Sequence, residues 1–140
     1  MKKIFLILVG LSLSVYATPT GIVTDGTTLL QWQDNYSDNI NTIKQSHWLN
    51  AIAYCEGLSL DGTNWRLPNI NELLSLVEDT RATPSISTAF TMIVSARYWS
   101  STSDVADSSR AIGINFDIGN QVSIDKNDND RYVRCVRTLN

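Results

Sequence analysis

The chain has 140 residues, 43% of them hydrophobic and 18% charged, which is the size and balance of one small globular domain. Eleven Lys and Arg stand against 14 Asp and Glu, a net charge of -3. That balance excludes a general nucleic-acid binder, which needs a basic surface. No Pro/Gly/Ser-rich linker, internal repeat or low-complexity tract divides the sequence.

Lys2 and Lys3 precede an apolar run from Ile4 to Val9 that continues through Leu11, Leu13 and Val15. Val15-Tyr16-Ala17 then supplies small residues at the positions a signal peptidase reads. The order predicts a signal peptide over 1–17 and one domain over 18–140. The alternative, an uncleaved anchor, meets an apolar stretch shorter than the roughly 20 residues a spanning helix needs. No later segment is long and apolar enough to span a membrane. The expected destination is the periplasm, the medium or the cell surface. Without the leader, nine basic residues face 14 acidic ones, a charge of about -5.

Gly21 to Asp25 and Leu29 to Gln33 flank Gly26-Thr27-Thr28 and predict a hairpin. Trp48, Ala51, Ile52 and Cys55 recur at i, i+3, i+4 and i+7, predicting a helix over about 46–56, capped by Ser46 and stopped by Gly57. A second helix is predicted over about 70–78, with Asn69 as its cap and Glu72 completing a capping box. Strands follow at Arg97–Ser101, Ala111–Phe116, Gln121–Asp125 and Tyr132–Arg137, with a turn at Gly119-Asn120. Two helices followed by antiparallel strands indicate an α+β fold.

Cys55 and Cys135 are the only cysteines. In an exported chain an even pair reads as one disulfide; two free thiols or a metal pair are the alternatives. The single histidine, His47, makes a poor zinc set with them.

These marks together resemble the Lcl C-terminal domain family. They are Val23-Thr24-Asp25 with Leu30-Gln31-Trp32-Gln33, Trp48 with Ala51 and Tyr54-Cys55, Trp65-Arg66-Leu67-Pro68 with Glu72-Leu73, Tyr98-Trp99-Ser100-Ser101, and Val133-Arg134-Cys135-Val136-Arg137. The resemblance implies a C-type-lectin-like fold, with two helices packed on a small twisted antiparallel sheet and a long loop-rich region. It also implies that Cys55 and Cys135 form the family's disulfide. The best-understood member type is the end domain of a collagen-like adhesin that binds sulfated glycosaminoglycans. This chain has no Gly-X-Y segment and its mature part is acidic.

Candidate site residues follow from side-chain chemistry. Trp99 could stack on a sugar ring, although an aromatic in so small a domain more often packs in the core. Trp65 and Arg66 could form a recognition surface, or Trp65 and Leu67 could bury while Pro68 holds the chain extended. Asp125, Asn127 and Asn129 have the alternating spacing of a calcium loop, and Asp130 adds a further oxygen. Asp130 stands where an EF-hand has Gly, and Val136 where it has a bidentate Glu, so the run is not an EF-hand and reads first as a solvated turn. Asn127-Asp128 sits before a late strand, as the Asn-Asp pair of sugar-binding C-type lectins does, but their companion Glu-Pro-Asn or Gln-Pro-Asp is missing. Arg97, Arg110, Arg131, Arg134 and Arg137 could present guanidinium forks to an anionic ligand, or pair with neighbouring aspartates.

No nucleophile has a visible partner, and no phosphate loop or His-x-x-x-His pair occurs. The expectation is a non-enzymatic exported module that needs no cofactor, with calcium as the one candidate. Its partner would be a glycan or another exported protein. A hydrolase or a Cys-dependent oxidase is the remaining alternative.

Overall fold

A computed structural model describes residues 15–17, for which only the backbone path is given, and 21–139. The apolar part of the predicted leader lies outside the described residues. The chain is mixed α+β, built on two sheets. The first contains β1 (Val15–Ala17), β2 (Ile22–Asp25), β3 (Leu30–Gln33) and β9 (Val136–Thr138), hydrogen-bonded in that order. The second contains β4 (Gln45–Ser46), β8 (Arg131–Tyr132), β5 (Arg97–Ser103), β6 (Arg110–Asn115) and β7 (Asn120–Asp125). The sheets are more extensive than the single small sheet the sequence suggested. One of their pairings, β5 with β8, is parallel, with Tyr98 opposite Tyr132.

The predicted hairpin is β2–β3, with Val23 opposite Trp32. Its turn is closed by Asp25, whose carboxylate accepts the backbone N–H groups of Thr27 (2.9 Å) and Thr28 (3.2 Å). Helix α1 (Trp48–Glu56) begins two residues later than expected. Ser46 is committed to β4, and His47 caps instead, its Nδ1 accepting from Asn50 N. Helix α2 (Ile70–Leu74) has the predicted capping box: Asn69 accepts from Glu72 N and Glu72 from Asn69 N, both at 2.9 Å. It stops at Leu74, short of the predicted Glu78: Leu76 N and Val77 N bond the carbonyls three residues back, Leu73 and Leu74, in place of a continued helical ladder, and Val77 leaves to bridge Ile86.

The predicted last strand is in fact two. Arg131–Tyr132 lies in the second sheet and Val136–Thr138 in the first, so residues 133–135 cross between them. This crossing is buried throughout, and its side chains alternate between two cores. Val136 enters a core with Trp32, Tyr36, Leu73, Phe90, Tyr98, Ile114 and Phe116. Val133 and Cys135 enter a second with Ala51, Trp65, Leu67, Trp99 and Ile124. Strands β5 and β6 are covered on both faces in the same way. Consecutive Tyr98 and Trp99 serve opposite cores, and so do Ala111 and Ile114. Gly113 is required where β5 and β6 approach, since a Cβ there would lie 2.3 Å from the Tyr98 carbonyl oxygen.

Cys55, on the last turn of α1, is bonded to Cys135 with Cα atoms 5.4 Å apart. Closing this 80-residue separation stabilises the fold by about 4 kcal/mol in the chain-entropy model. Trp65 and Leu67 are buried, and Arg66 exchanges both backbone hydrogen bonds with Val136. The Trp-Arg-Leu-Pro segment therefore serves packing. Its guanidinium makes two bonds to Glu72, at 2.6 and 2.7 Å.

Candidate binding groove

The long irregular stretch between α2 and β5 runs back over the first core, and its last part forms one wall of a groove of about 510 Å³. That wall is Thr91, Met92, Ile93 and Val94; Asn41, Thr42, Ile43 and Gln45 line the groove from another segment, together with Tyr132. No lining side chain carries a charge. A shallower hollow of about 260 Å³ adjoins it, sharing Asn41, Thr91 and Met92 and reaching Asp34 and Tyr36.

The Thr91–Val94 wall has no strand or helix to satisfy its backbone; buried side chains do so instead. Asp34 accepts from Thr91 N (2.8 Å), Thr91 Oγ1 (2.7 Å) and Met92 N (2.9 Å). Val94 N donates to the Tyr98 hydroxyl, and the Met92 carbonyl accepts from Arg134. Arg134 also bonds the Gln33 carbonyl (2.6 Å) and Asp34 (3.2 Å), and its guanidinium lies 4.3 Å from the Phe90 ring centroid. Arg134 is fully buried and Asp34 nearly so. Burial opposes the Arg134 charge, but Tyr36, Tyr98 and Asp34 outweigh it and hold its pKa above the ordinary value. Burial in turn raises the pKa of the Tyr36 and Tyr98 hydroxyls. Tyr36 Oη donates to the Val133 carbonyl (3.0 Å). A buried pair of this kind adds little net stability, because desolvation offsets its attraction, but removing one partner is expensive. Its structural effect here is to fix one conformation of the groove wall.

The predicted site residues fall into separate places. Arg131 pairs with Asp128 (2.6 Å) and Asp130 (3.1 Å), and Arg97, exposed at the start of β5, acts on Asp130. A hydrogen bond shared with Asp130 raises the Asp128 pKa, and the same bond lowers that of Asp130. This charged cluster abuts the groove: Gln45 Nε2 donates to the Asp130 carbonyl, and Tyr132 follows Arg131. Asn127 and Asn129 are exposed on the turn beside it. Asp125 closes that turn, its Oδ1 accepting from Asn127 N (2.9 Å) and its carbonyl from Asp128 N (3.0 Å). Among the described residues, no three His, Cys, Asp or Glu side chains come together as metal ligands.

Trp99 must be corrected. It has no exposed surface, and its Nε1 donates to the Ser46 carbonyl at 2.7 Å, so no face of the ring can meet a sugar. The arginines likewise form no single face. Arg110, at the other end of β6, bonds Ser123, whose hydroxyl donates to Asp104. Arg137 lies over Trp65 and bonds the Asp61 carbonyl, while Arg134 is internal.

Asp34, Tyr36, Asn41, Gln45, Met92 and Tyr132 were not singled out from sequence. One usable signal existed: Arg134 stands between Val133 and Cys135, a charge inside an apolar run where a surface arginine does not belong.

Among the described residues no helix is long and apolar enough to cross a membrane. No curated protein matches the chain, and no solved structure does. A family model, the Lcl C-terminal domain, matches residues 21–137, which takes in both sheets from β2 onward, both cores, the disulfide and the groove. The chain belongs to the Lcl C-terminal domain family.

Proposed function

We propose that this protein is an exported, lectin-like binding module without enzymatic activity, and that it takes an uncharged glycan in the groove between Asn41–Gln45 and Thr91–Val94. One observation carries the reading: an uncharged groove whose irregular wall is held by the buried Asp34–Arg134 pair. Preorganised walls reduce the ordering cost of binding. Tyr132 gives an aromatic face, and Asn41, Thr42 and Gln45 give amides and a hydroxyl for the ring hydroxyls of a sugar. A sulfated chain fits poorly, because Arg131 is already paired with two aspartates.

The test is a glycan array on the exported protein, run with calcium and with a chelator, beside Tyr132→Ala. Binding to neutral glycans that survives chelation and is lost in the variant supports the groove. Binding lost on chelation moves the site to Asp125–Asp130. No binding to any glycan rejects the reading.

A protein ligand is the second reading. It is favoured by Met92, Ile93 and Val94, and by Ile40, which is 90% exposed beside Asn41 with φ of 55°. A β-branched residue held there is strained, and such strain concentrates at functional positions. Co-purification of one stoichiometric partner that Ile40→Ser abolishes would favour it over the glycan.

A further inference from the structure

The groove is the first of three hollows that follow one another along the molecule. Asn41, Thr91 and Met92 belong both to it and to the middle hollow beside Asp34 and Tyr36. Asn35 and Ser37 belong both to the middle hollow and to a third, of about 370 Å³, which ends at residues 57–61 after α1. Each boundary is fixed by hydrogen bonds. The first is the Thr91–Met92 wall held on Asp34. At the second, Asn35 Oδ1 accepts from Ser37 N (2.9 Å), and the Asn35 carbonyl accepts from the buried Gln33 amide (3.1 Å), which also donates to the Tyr54 hydroxyl (2.9 Å). Gly21 backs this boundary with φ of 74°, and a Cβ there would lie 2.6 Å from Asn35 Cβ. Among the described residues, no Lys or Arg lines any of the three hollows. Asp34 in the middle one is matched by Arg134, whereas Asp38 and Asp61 stand exposed at the third. An anionic polymer laid along the hollows would bring its charges beside those two carboxylates.

We infer that the ligand is a linear, uncharged glycan of several sugar units lying along all three hollows. The inference rests on the glycan reading of the groove and adds to it the length and form of the chain. A single sugar engages one hollow at most and leaves the other two to water. Units joined in one chain reach the second and third hollows without a fresh loss of translational freedom, so affinity grows with each hollow entered and stops growing once all are filled. The fixed boundaries keep the ordering cost low. Asn41 and Thr91 at the first boundary, and Asn35 and Ser37 at the second, repeat the amide and hydroxyl chemistry that recurring ring hydroxyls need.

The test uses the full chain exported by a bacterium and an array printed with neutral linear glucans, mannans, xylans and N-acetylglucosamine chains, each in graded lengths from a single sugar upward, beside uronic-acid chains of the same lengths. Within the series that binds, the signal is expected to rise at least about tenfold with length and then to level off. The uronic-acid chains should bind no better than a single neutral sugar. Ser37 is exposed at the second boundary, so Ser37→Leu fills the passage between the middle and third hollows at a position where the fold accepts a larger side chain. With an unchanged unfolding midpoint, it should weaken the long chains about tenfold, to the level of the short ones, and leave the short ones as they were. A single sugar that binds as tightly as the long chains, or long chains indifferent to Ser37→Leu, would overturn the inference and leave the groove standing. Tighter binding of the uronic-acid chains, or silence across the array, would overturn it together with the reading of the groove.

Discussion

The two faces of the crossing segment, residues 133–136, are fastened by opposite means. On one face Cys135 is bonded to α1, which closes a long loop and acts mainly by limiting the unfolded chain. On the other, Arg134 is held by Asp34, two carbonyls and three aromatic rings, which acts on the folded state. The covalent side braces a helix against the second core; the ionic side shapes the groove wall. Stability and site geometry are therefore separable here, although adjacent residues supply them.

The largest effect is expected from Arg134→Ala on the ionic face. It leaves Asp34 buried without its counter-charge, and a loss of about 3–5 kcal/mol is expected in urea unfolding. The double variant Asp34→Asn/Arg134→Met should recover much of that stability, since it removes both charges and keeps apolar volume. It should not recover the wall. Amide exchange at Thr91 and Met92 is expected to stay fast, because Asp34 no longer accepts from both with a full charge. Slow exchange in the double variant would show that the pair is not what fixes the groove.

Replacing both cysteines, Cys55→Ala/Cys135→Ala, should cost about 2–5 kcal/mol in thermal unfolding. Ligand affinity well below the melting temperature should be unchanged, since the disulfide lies across the sheet from the groove. A large loss of affinity with intact fold would join the two fastenings into one. Tyr132→Ala should lower the unfolding free energy by about 1–3 kcal/mol, since the ring packs on the first core and lies 5.5 Å from the Tyr98 ring, and, with the fold intact, should weaken ligand binding about tenfold, or ~1.4 kcal/mol. An unchanged affinity on the array would remove Tyr132 from the site.

Much of the scaffold was legible in the sequence because local rules govern it. The β2–β3 hairpin, the Asn69–Glu72 capping box and the stripe from Trp48 to Cys55 each need only a few adjacent residues. What was not legible depends on distant partners. Arg134 meets Asp34 across 100 positions, and nothing in either neighbourhood announces the other. Trp99 looked available because a strand covered on one face leaves the alternate residues exposed. β5 is covered on both, so the pattern that marks a half-exposed strand is missing. The last strand was read as one because its apolar run is continuous, whereas the chain changes sheets within it. The groove escaped for a related reason: its lining comes from three separated segments, none with a motif of its own.

The smallest predicted effect tests whether surface pairing matters beside these buried fastenings. Glu72 accepts the fork of Arg66 while also completing the cap of α2. Burial pushes its carboxyl upward, but the hydrogen bonds from Arg66 and Asn69 outweigh this and hold its pKa below the ordinary value. A depressed folded pKa gives stability that is present above the unfolded value, about 4.3, and is lost as the pH falls through the folded one. Glu72→Gln keeps an oxygen for the cap and removes only the charge. It should cost roughly 0.5–1 kcal/mol at neutral pH, discounted because the Arg66 side chain is 41% exposed. The gap between wild type and variant should close as the pH drops below about 4, and it should narrow in high salt. A gap that persists in acid would mean that Glu72 works through its cap geometry and packing, and that the ionic contribution to this fold resides in the buried Asp34–Arg134 pair.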